Sequence, residues 1–356
     1  MRKILVVMLT LSLLSPIPNS SAAKKLAPSE AKAGAPCLIK GLTAATLDGP
    51  VLCDKKWKLV TEKKDSVETR AYRIVLKEYL SNPEGALSLV IKLDPKTPSW
   101  GSRIKKGMEA GARLWGTSPV GSPTKFAYIS ADGEWIFKEA QADGFIDDNR
   151  KEEIFRNDCQ AGWNGADDPT KSFWFFKFAE TFCITNVGYF QVPAHEYTHY
   201  AQDALSQYLW GKTPRVPWLD EGLASYIGAA LGPMSDMRND LRSMWVGQMR
   251  RGVKNLDFFS KSEELVYKSP NWQDVYAQGA IANEALVALI GITGVKAIYT
   301  SLSKSGTTYD AAFIANTGIG VDSWTALLQG YVDSVKSYKP WSLEKLQDAY
   351  KAKKTT

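Results

Sequence analysis

The only two histidines among the 356 residues stand four positions apart, at His195 and His199, with Glu196 directly after the first. On a helix, residues i and i+4 lie on the same face one turn apart. Two imidazoles in that arrangement can bind one metal ion, with zinc–nitrogen bonds of about 2.0–2.1 Å. Glu196 is then turned toward the side of the metal, where it could hold and deprotonate a water molecule.

The residues around this motif favour a helix. Pro193 suits a first helical position, because its missing N–H costs nothing there. Residues 194–210 contain neither Gly nor Pro. Gly211 could supply a left-handed cap, and Pro214 would end any continuation.

Two histidines do not complete a zinc site, because a catalytic zinc takes three protein ligands and leaves the fourth position to water. The segment 217–224 offers Glu221 as the third ligand. Asp220 is a rival ligand, but it could instead be an outer-shell group or a carboxylate that stabilises the start of the helix. A second helix is predicted from Pro217 to the stop at residues 232–233. Gly222 is small, as is Ala224, so this helix could pack closely on the first.

These two motifs together resemble the gluzincin metallopeptidases, in which a glutamate ligand follows His-Glu-x-x-His by about twenty residues on a second helix. The segment Trp218 to Gly222 is similar to the corresponding segment of the aminopeptidase N branch. The resemblance is firm over residues 180–230 and loose over 230–335. It implies a zincin-like α+β fold with a small mixed sheet, an active-site helix and a mainly helical C-terminal half. It also implies one zinc ion per chain, bound by His195, His199 and Glu221.

The implied reaction is peptide hydrolysis, with Glu196 as the general base and then the proton donor to the leaving amine. A further hydrogen-bond donor should stabilise the oxyanion. Tyr276 is the candidate, because residues 276–280 resemble the Tyr-x-x-Gly-x segment that carries this tyrosine in the aminopeptidase N branch. Tyr276 could equally be a core residue, and Tyr200 and Tyr226 are rivals.

The sequence departs from the family pattern at two places. Thermolysin-like members have an aspartate four residues after the glutamate ligand, where this chain has Ser225. Asp220 could take over that supporting role. The Gly-x-Met-Glu-Asn motif that holds a free amine is missing, since residues 107–109 are similar but lack the Asn and fall in a predicted helix. An endopeptidase or a narrow processing enzyme is therefore favoured over a general aminopeptidase.

Three other interpretations compete with the peptidase. The motif could lie on an ordinary helix with satisfied histidines. The chain could be a secreted binding or surface protein that retains the fold without turnover, although no damage to the motif is visible. A zinc hydrolase acting on a non-peptide amide is the third.

The N-terminal residues 1–23 read as a secretory signal peptide. Arg2 and Lys3 precede an apolar run from Ile4 to Leu14, and small residues at 21–23 suit cleavage. This run is short for a membrane span, and we expect no later segment long enough to cross a bilayer. An uncleaved anchor is the alternative. We expect the protein to be extracellular, and it could also be associated with the cell surface.

Residues 24–60 are predicted to be a flexible leader followed by a small disulfide-stapled hairpin between 37 and 60. Four cysteines in an exported chain favour disulfides. Three pairings are possible, and we predict the sequential one, which joins Cys37 to Cys53 and Cys159 to Cys183.

Residues 61–340 should form the metallopeptidase domain, followed by a solvated tail at 341–356. Helices are predicted at 66–80, 103–115, 134–142, 236–251, 272–290, 295–303, 309–316 and 323–335. Strands are predicted at 87–93 and 125–130, with two more within 172–190, whereas 157–168 reads as a loop. Residues 185–191 could be the sheet edge that binds substrate as an added strand or an ordinary buried strand.

The amino-acid composition excludes few other classes of protein. Hydrophobic residues make up 44% and charged residues 23%, which is ordinary for a globular protein. The formal net charge of +6 is mildly basic, and no nucleic-acid-binding motif is visible. The expected partner is a peptide or protein substrate, and the sequence carries no signal for oligomers, so a monomer is expected.

Overall fold

The computed structural model describes residues 43–46, 49–54, 56–59, 66–82, 89–97, 100–116, 125–146, 159–164, 173–178, 188–207, 216–231, 236–251 and 274–354. The predicted signal peptide, Cys37 and Cys183 lie outside these residues. So does the second of the two strands predicted within 172–190.

A four-stranded sheet forms one layer of the described main domain. Its strands are β4 (Leu89–Leu93), β5 (Lys125–Ser130), β6 (Cys159–Asn164) and β7 (Phe173–Phe178), in the order β4-β5-β7-β6. The first three in that order are parallel, and β6 runs antiparallel to β7. Every residue of β7 is buried, as expected for a strand inside a sheet that is covered on both faces. The small mixed sheet expected from the sequence is therefore present.

Helices make up most of the remaining described chain. They are α1 (Val67–Ser81), α2 (Gly101–Trp115), α3 (Gly133–Ala142), α4 (Gly188–Leu205), α5 (Pro217–Leu231), α6 (Asp236–Arg251), α7 (Asp274–Ser301), α8 (Tyr309–Thr317), α9 (Val321–Lys336) and α10 (Leu343–Lys354). Most helices predicted from periodicity are confirmed to within about two residues at each end, which is the usual uncertainty of helix boundaries. Local capping explains some of this agreement: the Ser66 and Asp132 side chains accept hydrogen bonds from the first turns of α1 and α3.

Helix α7 is the centre of the helical half and packs against α1, α5, α6, α8 and α9. The backbone leaves helical geometry at Gly291, with φ 70° and ψ 173°, between the two helices predicted at 272–290 and 295–303. Residues 275–301 are long and apolar enough to cross a membrane, and 61% of an apolar 18-residue stretch within them is buried inside the protein. The expectation that no later segment reaches this length is therefore wrong. Burial in the core accounts for the apolar composition.

Two segments differ from their predicted secondary structure around the sheet. The predicted loop at 157–168 contains strand β6, because its backbone pairs with β7 despite a Gly- and Asn-rich sequence. Helix α4 begins at Gly188, so residues 188–191 of the proposed substrate-binding edge are helical. Pro193 consequently lies inside α4 and not at its first position. The helix also ends early, at Leu205, and Gln207 adopts a left-handed φ of 51°.

The predicted tail at 341–356 is largely helical. Leu343 and Leu346 are buried at helical spacing, and the Tyr350 hydroxyl donates to the Thr317 carbonyl oxygen at 2.8 Å. This packing stabilises α10 against α8, while the lysines of its last turn remain exposed. An isolated antiparallel bridge between Ser66 and Ser342 joins the start of α1 to the start of α10.

The N-terminal module is an antiparallel three-stranded sheet of β1 (Thr43–Thr46), β2 (Gly49–Asp54) and β3 (Lys56–Leu59). Within the hairpin predicted between 37 and 60, β2 pairs with β1 at 43–46 and with β3 at 56–59. Cys159 is disulfide-bonded. Its partner is not among the side chains that the structure describes, so both predicted pairings stay predictions.

Candidate metal centre

Three donor atoms from two helices converge at one buried point. His195 and His199 lie one turn apart on α4, and their Nε2 atoms are 3.1 Å apart. The Glu221 Oε2 atom, from the first half of α5, lies 3.4 Å from the first of these nitrogens and 3.2 Å from the second. All three residues are buried, with exposures of 5%, 8% and 1% respectively. The structure therefore brings together the three ligands expected from the sequence.

The spacing of these atoms suits zinc. A tetrahedral zinc ion with bonds of about 2.0–2.1 Å holds its ligand atoms about 3.3–3.4 Å apart. The three measured separations, from 3.1 to 3.4 Å, therefore match one face of such a tetrahedron. Two imidazoles and one carboxylate are also the donor set of a catalytic zinc that keeps its fourth position open.

The Glu221 carboxylate remains ionised in this surrounding. Burial alone would raise the pKa of this carboxyl group. The histidines beside it outweigh that effect through charge and hydrogen bonding and hold the pKa well below its usual range. A buried carboxylate therefore faces the two ring nitrogens, and a metal ion bound by the three groups would supply positive charge that stabilises it.

The outer groups differ from those expected of a thermolysin-like enzyme. The Ser225 hydroxyl lies 3.4 Å from His195 Nδ1. Ser225 stands at the sequence position where thermolysin-like members have an aspartate. The other ring is held by a residue that the sequence reasoning missed: His199 Nδ1 lies 2.8 Å from Gln202 Oε1. Gln202 follows His199 by three positions on the same helical face, so the spacing alone could have indicated this contact.

Asp220 lies behind the site and is not among the three converging ligands. Its Oδ1 atom accepts hydrogen bonds from the Tyr299 hydroxyl at 2.7 Å and from the Tyr309 hydroxyl at 2.8 Å. Asp220 thus accepts hydrogen bonds from tyrosines of α7 and α8, and its expected role in support of the imidazoles stays a prediction.

Glu196 is buried, with 3% exposure, directly after His195 in α4. Its main-chain carbonyl accepts a hydrogen bond from Trp174 Nε1 at 3.1 Å, which ties this turn of the helix to strand β7. The neighbouring Tyr197 ring stacks on the Trp174 ring with centroids 5.2 Å apart. The sheet thereby fixes the turn of α4 that carries the proposed general base.

Tyr276 lies in the first turn of α7, and its ring centroid is 5.9 Å from that of His195. It is partly buried, and this ring contact places it beside the candidate metal ligands. The rival Tyr200 packs against Trp174 at 5.1 Å and against Tyr197 at 5.3 Å, on the sheet side of α4. Tyr226 is buried on α5. The contact with His195 favours Tyr276 among the three.

Small residues determine how closely the site helices approach. Gly222 faces Gly279 of α7, and a Cβ atom on Gly279 would lie only 2.8 Å from the Gly222 Cα atom. The expected close packing of Gly222 is therefore against α7 and not against α4. Gly228 provides the close approach to α4, since a Cβ atom there would lie 2.6 Å from the Gln191 carbonyl oxygen. Asn283 stabilises the crossing of α5 and α7 by donating to the Trp218 and Gly279 carbonyl oxygens, both at 2.8 Å.

The segment 107–109 lies within α2, as expected. Glu109 is exposed and forms a loose ion pair with Lys105 at 3.9 Å. An exposed carboxylate of this kind does not face a buried centre, so the geometry gives it no role in holding a substrate amine.

Comparisons of this chain with protein-family models, with curated proteins and with solved structures found no match. The resemblance to gluzincins therefore rests on the two motifs and on the geometry of the three ligands.

Proposed function

We propose that this chain is a zinc-dependent peptidase of the gluzincin type. The observation that carries the proposal is the convergence of His195, His199 and Glu221, whose donor atoms form one face of a zinc tetrahedron in a buried site. The sequence that supplies this geometry also places Glu196 next to the first ligand and Tyr276 beside its ring. These are the two additional groups that hydrolysis of an amide requires.

Zinc, when bound at these ligands, supplies Lewis acidity that polarises the scissile carbonyl and makes a water molecule more acidic. Glu196 holds that water, takes its proton as the oxygen attacks the carbonyl carbon, and then gives the proton to the leaving amine nitrogen. The Tyr276 hydroxyl donates a hydrogen bond to the carbonyl oxygen as negative charge develops on it. Gly279, three residues later, lets α7 approach α5 closely enough to keep this tyrosine beside His195.

The sheet supports a peptide as the substrate. Strand β6 is an edge strand among the described strands and runs antiparallel to β7. Its residue Trp163 pairs in register with Trp174, which donates to the Glu196 carbonyl oxygen. An extended peptide that added to this edge would therefore run past the turn of α4 that carries the general base. This edge replaces the one that we proposed from the sequence at 185–191.

The site of action in this proposal is outside the cytoplasm, in keeping with the signal-like residues 1–23. The disulfide at Cys159 supports an oxidising compartment. We also propose that the protein is a monomer, that it does not bind nucleic acid and that it is not stably inserted in a membrane. The alternative, a secreted binding protein that retains the fold without turnover, would bind zinc but hydrolyse no peptide.

Metal content is the measurement that tests the site. We expect about one zinc per mature wild-type chain, as in single-ion catalytic sites, and loss of this zinc in His199→Ala and in Glu221→Ala. Glu109→Gln, on the surface of α2, is the control and should keep the zinc. A folded wild type that takes up no zinc after it is added back would refute the proposal.

A further inference from the structure

We infer that Gln202, held by Tyr299 and Asp220, is a positioning residue that fixes the ring of His199 with Nε2 free to bind the metal. This inference rests on the zinc site proposed above and goes beyond it, because it assigns roles to residues on α4, α5 and α7 that touch neither the metal position nor a substrate. The hydrogen bonds behind His199 carry the argument.

The orientation of the Gln202 amide is fixed by its nitrogen. Nε2 donates to the Asp220 main-chain oxygen at 3.0 Å and to the Tyr299 hydroxyl oxygen at 3.0 Å. The Tyr299 hydroxyl uses its only proton on Asp220 Oδ1, at 2.7 Å, so toward Gln202 it can only accept. Both amide protons therefore have acceptors. The reverse orientation would place the amide oxygen against two acceptor atoms.

This orientation determines which nitrogen of His199 carries the proton. The amide oxygen of Gln202 faces Nδ1 at 2.8 Å and can only accept, so Nδ1 must be the donor. In the neutral ring, Nε2 then holds the lone pair, which points toward Glu221 and His195. The opposite tautomer would direct an N–H at the metal position and prevent binding there.

Burial makes the arrangement hard to change. Gln202, Asp220 and Tyr299 each have 0% exposure, so water has no access to replace a lost partner. The chain also brings these groups together over long distances, because Gln202 lies on α4, Asp220 on α5 and Tyr299 near the end of α7. The metal site thereby depends on a helix whose first turn carries Tyr276 and whose last turn carries Tyr299.

Tyr309 supplies a matched control. Its hydroxyl donates to the same Asp220 Oδ1 atom at 2.8 Å, from α8, and its ring meets the Tyr299 ring edge-on with centroids 6.4 Å apart. Tyr309→Phe therefore removes the same kind of buried hydrogen bond as Tyr299→Phe. Only the Tyr299 variant also removes an acceptor of the Gln202 amide.

The experiment measures zinc affinity by competition with a chelator, on the full mature protein and on three variants. We expect Gln202→Met to lose about 10–100-fold in affinity and Tyr299→Phe to lose about tenfold, which is the range for groups that orient a metal-binding histidine. Tyr309→Phe should keep the wild-type affinity. The visible spectrum of the Co²⁺-loaded protein should change in the first two variants only.

Equal affinities for Tyr299→Phe and Tyr309→Phe would overturn the inference, because the network would then be purely structural. Wild-type affinity in Gln202→Met would overturn it as well. If Gln202→Met fails to fold, the comparison of zinc affinity between Tyr299→Phe and Tyr309→Phe still tests the inference. A wild type that binds no zinc would refute the proposed function itself. A wild type that binds zinc, with variants that bind it equally well, would refute only the inference about Gln202.

Discussion

His199 is the residue where the inner and outer parts of the site meet. Its Nε2 atom lies 3.1 Å from His195 Nε2 and 3.2 Å from Glu221 Oε2, and its Nδ1 atom faces Gln202 at 2.8 Å. Both ring nitrogens are thus committed to buried partners. A ring held in this way loses little conformational freedom when a metal binds, which favours tight binding.

Glu196→Gln tests the mechanism at this scale. The amide has nearly the same shape as the carboxylate but cannot take a proton, so we expect a loss of about 10²–10⁴-fold in kcat/KM, the usual contribution of general acid–base catalysis. Zinc content and the circular dichroism spectrum should match the wild type. Hydrolysis of a quenched fluorescent peptide library checks the rate.

Glu109→Gln is the matched control for this substitution, because it makes the same chemical change on the surface of α2. It should hydrolyse the library at the wild-type rate. Undiminished hydrolysis by Glu196→Gln would contradict the assignment of the base.

Sequence spacing predicted the three side chains that converge at the candidate metal site but not the groups behind them. His195 and His199 are one helical turn apart, and Glu221 follows in a segment that resembles a known motif, so local pattern was sufficient. Tyr299 and Tyr309 reach Asp220 from about eighty and ninety positions farther along the chain. No periodicity relates residues at such separations, and only the tertiary fold brings them together.

The crossing of α5 and α7 is the element-scale feature on which the site depends. Gly222 and Gly279 meet backbone to backbone, next to Glu221 on one helix and three residues from Tyr276 on the other. Asn283 donates to main-chain oxygens of both helices at this point. The proposed ligand Glu221 and the proposed oxyanion donor Tyr276 are therefore held in register by a contact in which neither helix has space for a side chain.

Gly222→Ala should separate these helices. A Cβ atom there would meet the Cα atom of Gly279 at 2.5 Å, and the opposing backbone cannot move aside without shifting α7. We expect a loss of about 1–3 kcal/mol or more in the free energy of unfolding, as for overpacked cores. Zinc affinity should fall as well, because Glu221 is the adjacent residue.

Gly247→Ala is the control, since a Cβ atom at this position in α6 would have nothing within 4 Å. It should be neutral or stabilise by about 0.5–1 kcal/mol, the helix preference of Ala over Gly. Urea unfolding with a chelator present separates the packing effect from zinc linkage. Similar unfolding midpoints for the two variants would contradict the close contact.

Elements with strong local signals were predicted well, and elements that depend on a partner were not. The helix at 236–251 follows the predicted bounds, whereas β6 forms from a Gly-rich segment because the neighbouring strand β7 supplies its hydrogen bonds. Pro193 suggested a helix start, yet α4 begins at Gly188. Helix α10 owes its order to Leu346 and Tyr350 packing against the rest of the domain, which a lysine-rich composition concealed.

At the scale of the whole molecule, a partly buried charge network joins four helices. Arg242 of α6 makes two hydrogen bonds to the Glu284 carboxylate of α7, at 2.8 and 3.0 Å, and lies 3.5 Å from Glu68 of α1. The Tyr331 hydroxyl of α9 donates to the same Glu284 carboxylate at 2.6 Å. Burial would lower the pKa of Arg242, but the two glutamates outweigh burial and raise it, so the guanidinium stays charged. The network links the first described helix to the helical half.

This network predicts sensitivity to alkaline pH. Burial, and then the charge of Glu284, raise the pKa of Tyr331 well above its usual range. The unfolded chain therefore releases this proton above about pH 10 while the folded protein retains it, and stability falls by about 1.4 kcal/mol per pH unit for this group. Stability from Tyr331 is fully present below that pH and is lost as pH rises further.

Tyr331→Phe should be less stable than the wild type at pH 8, because the Glu284 carboxylate loses a donor, but its stability should fall less steeply between pH 10 and 11. Tyr338→Phe is the control, because Tyr338 is 74% exposed. Denaturant unfolding across this pH range gives the slopes. Parallel slopes for the wild type and Tyr331→Phe would rule out a protonated buried tyrosine.

The bridge between Ser66 and Ser342 also bears on how the protein is made. It joins the residue before α1 to the start of α10, so α1 meets its most distant neighbour only after nearly the whole chain has left the ribosome. Contacts of such sequence separation form late, because the intervening loop must first be closed. The contacts of α1 are therefore completed only when the last described helix, α10, has been made.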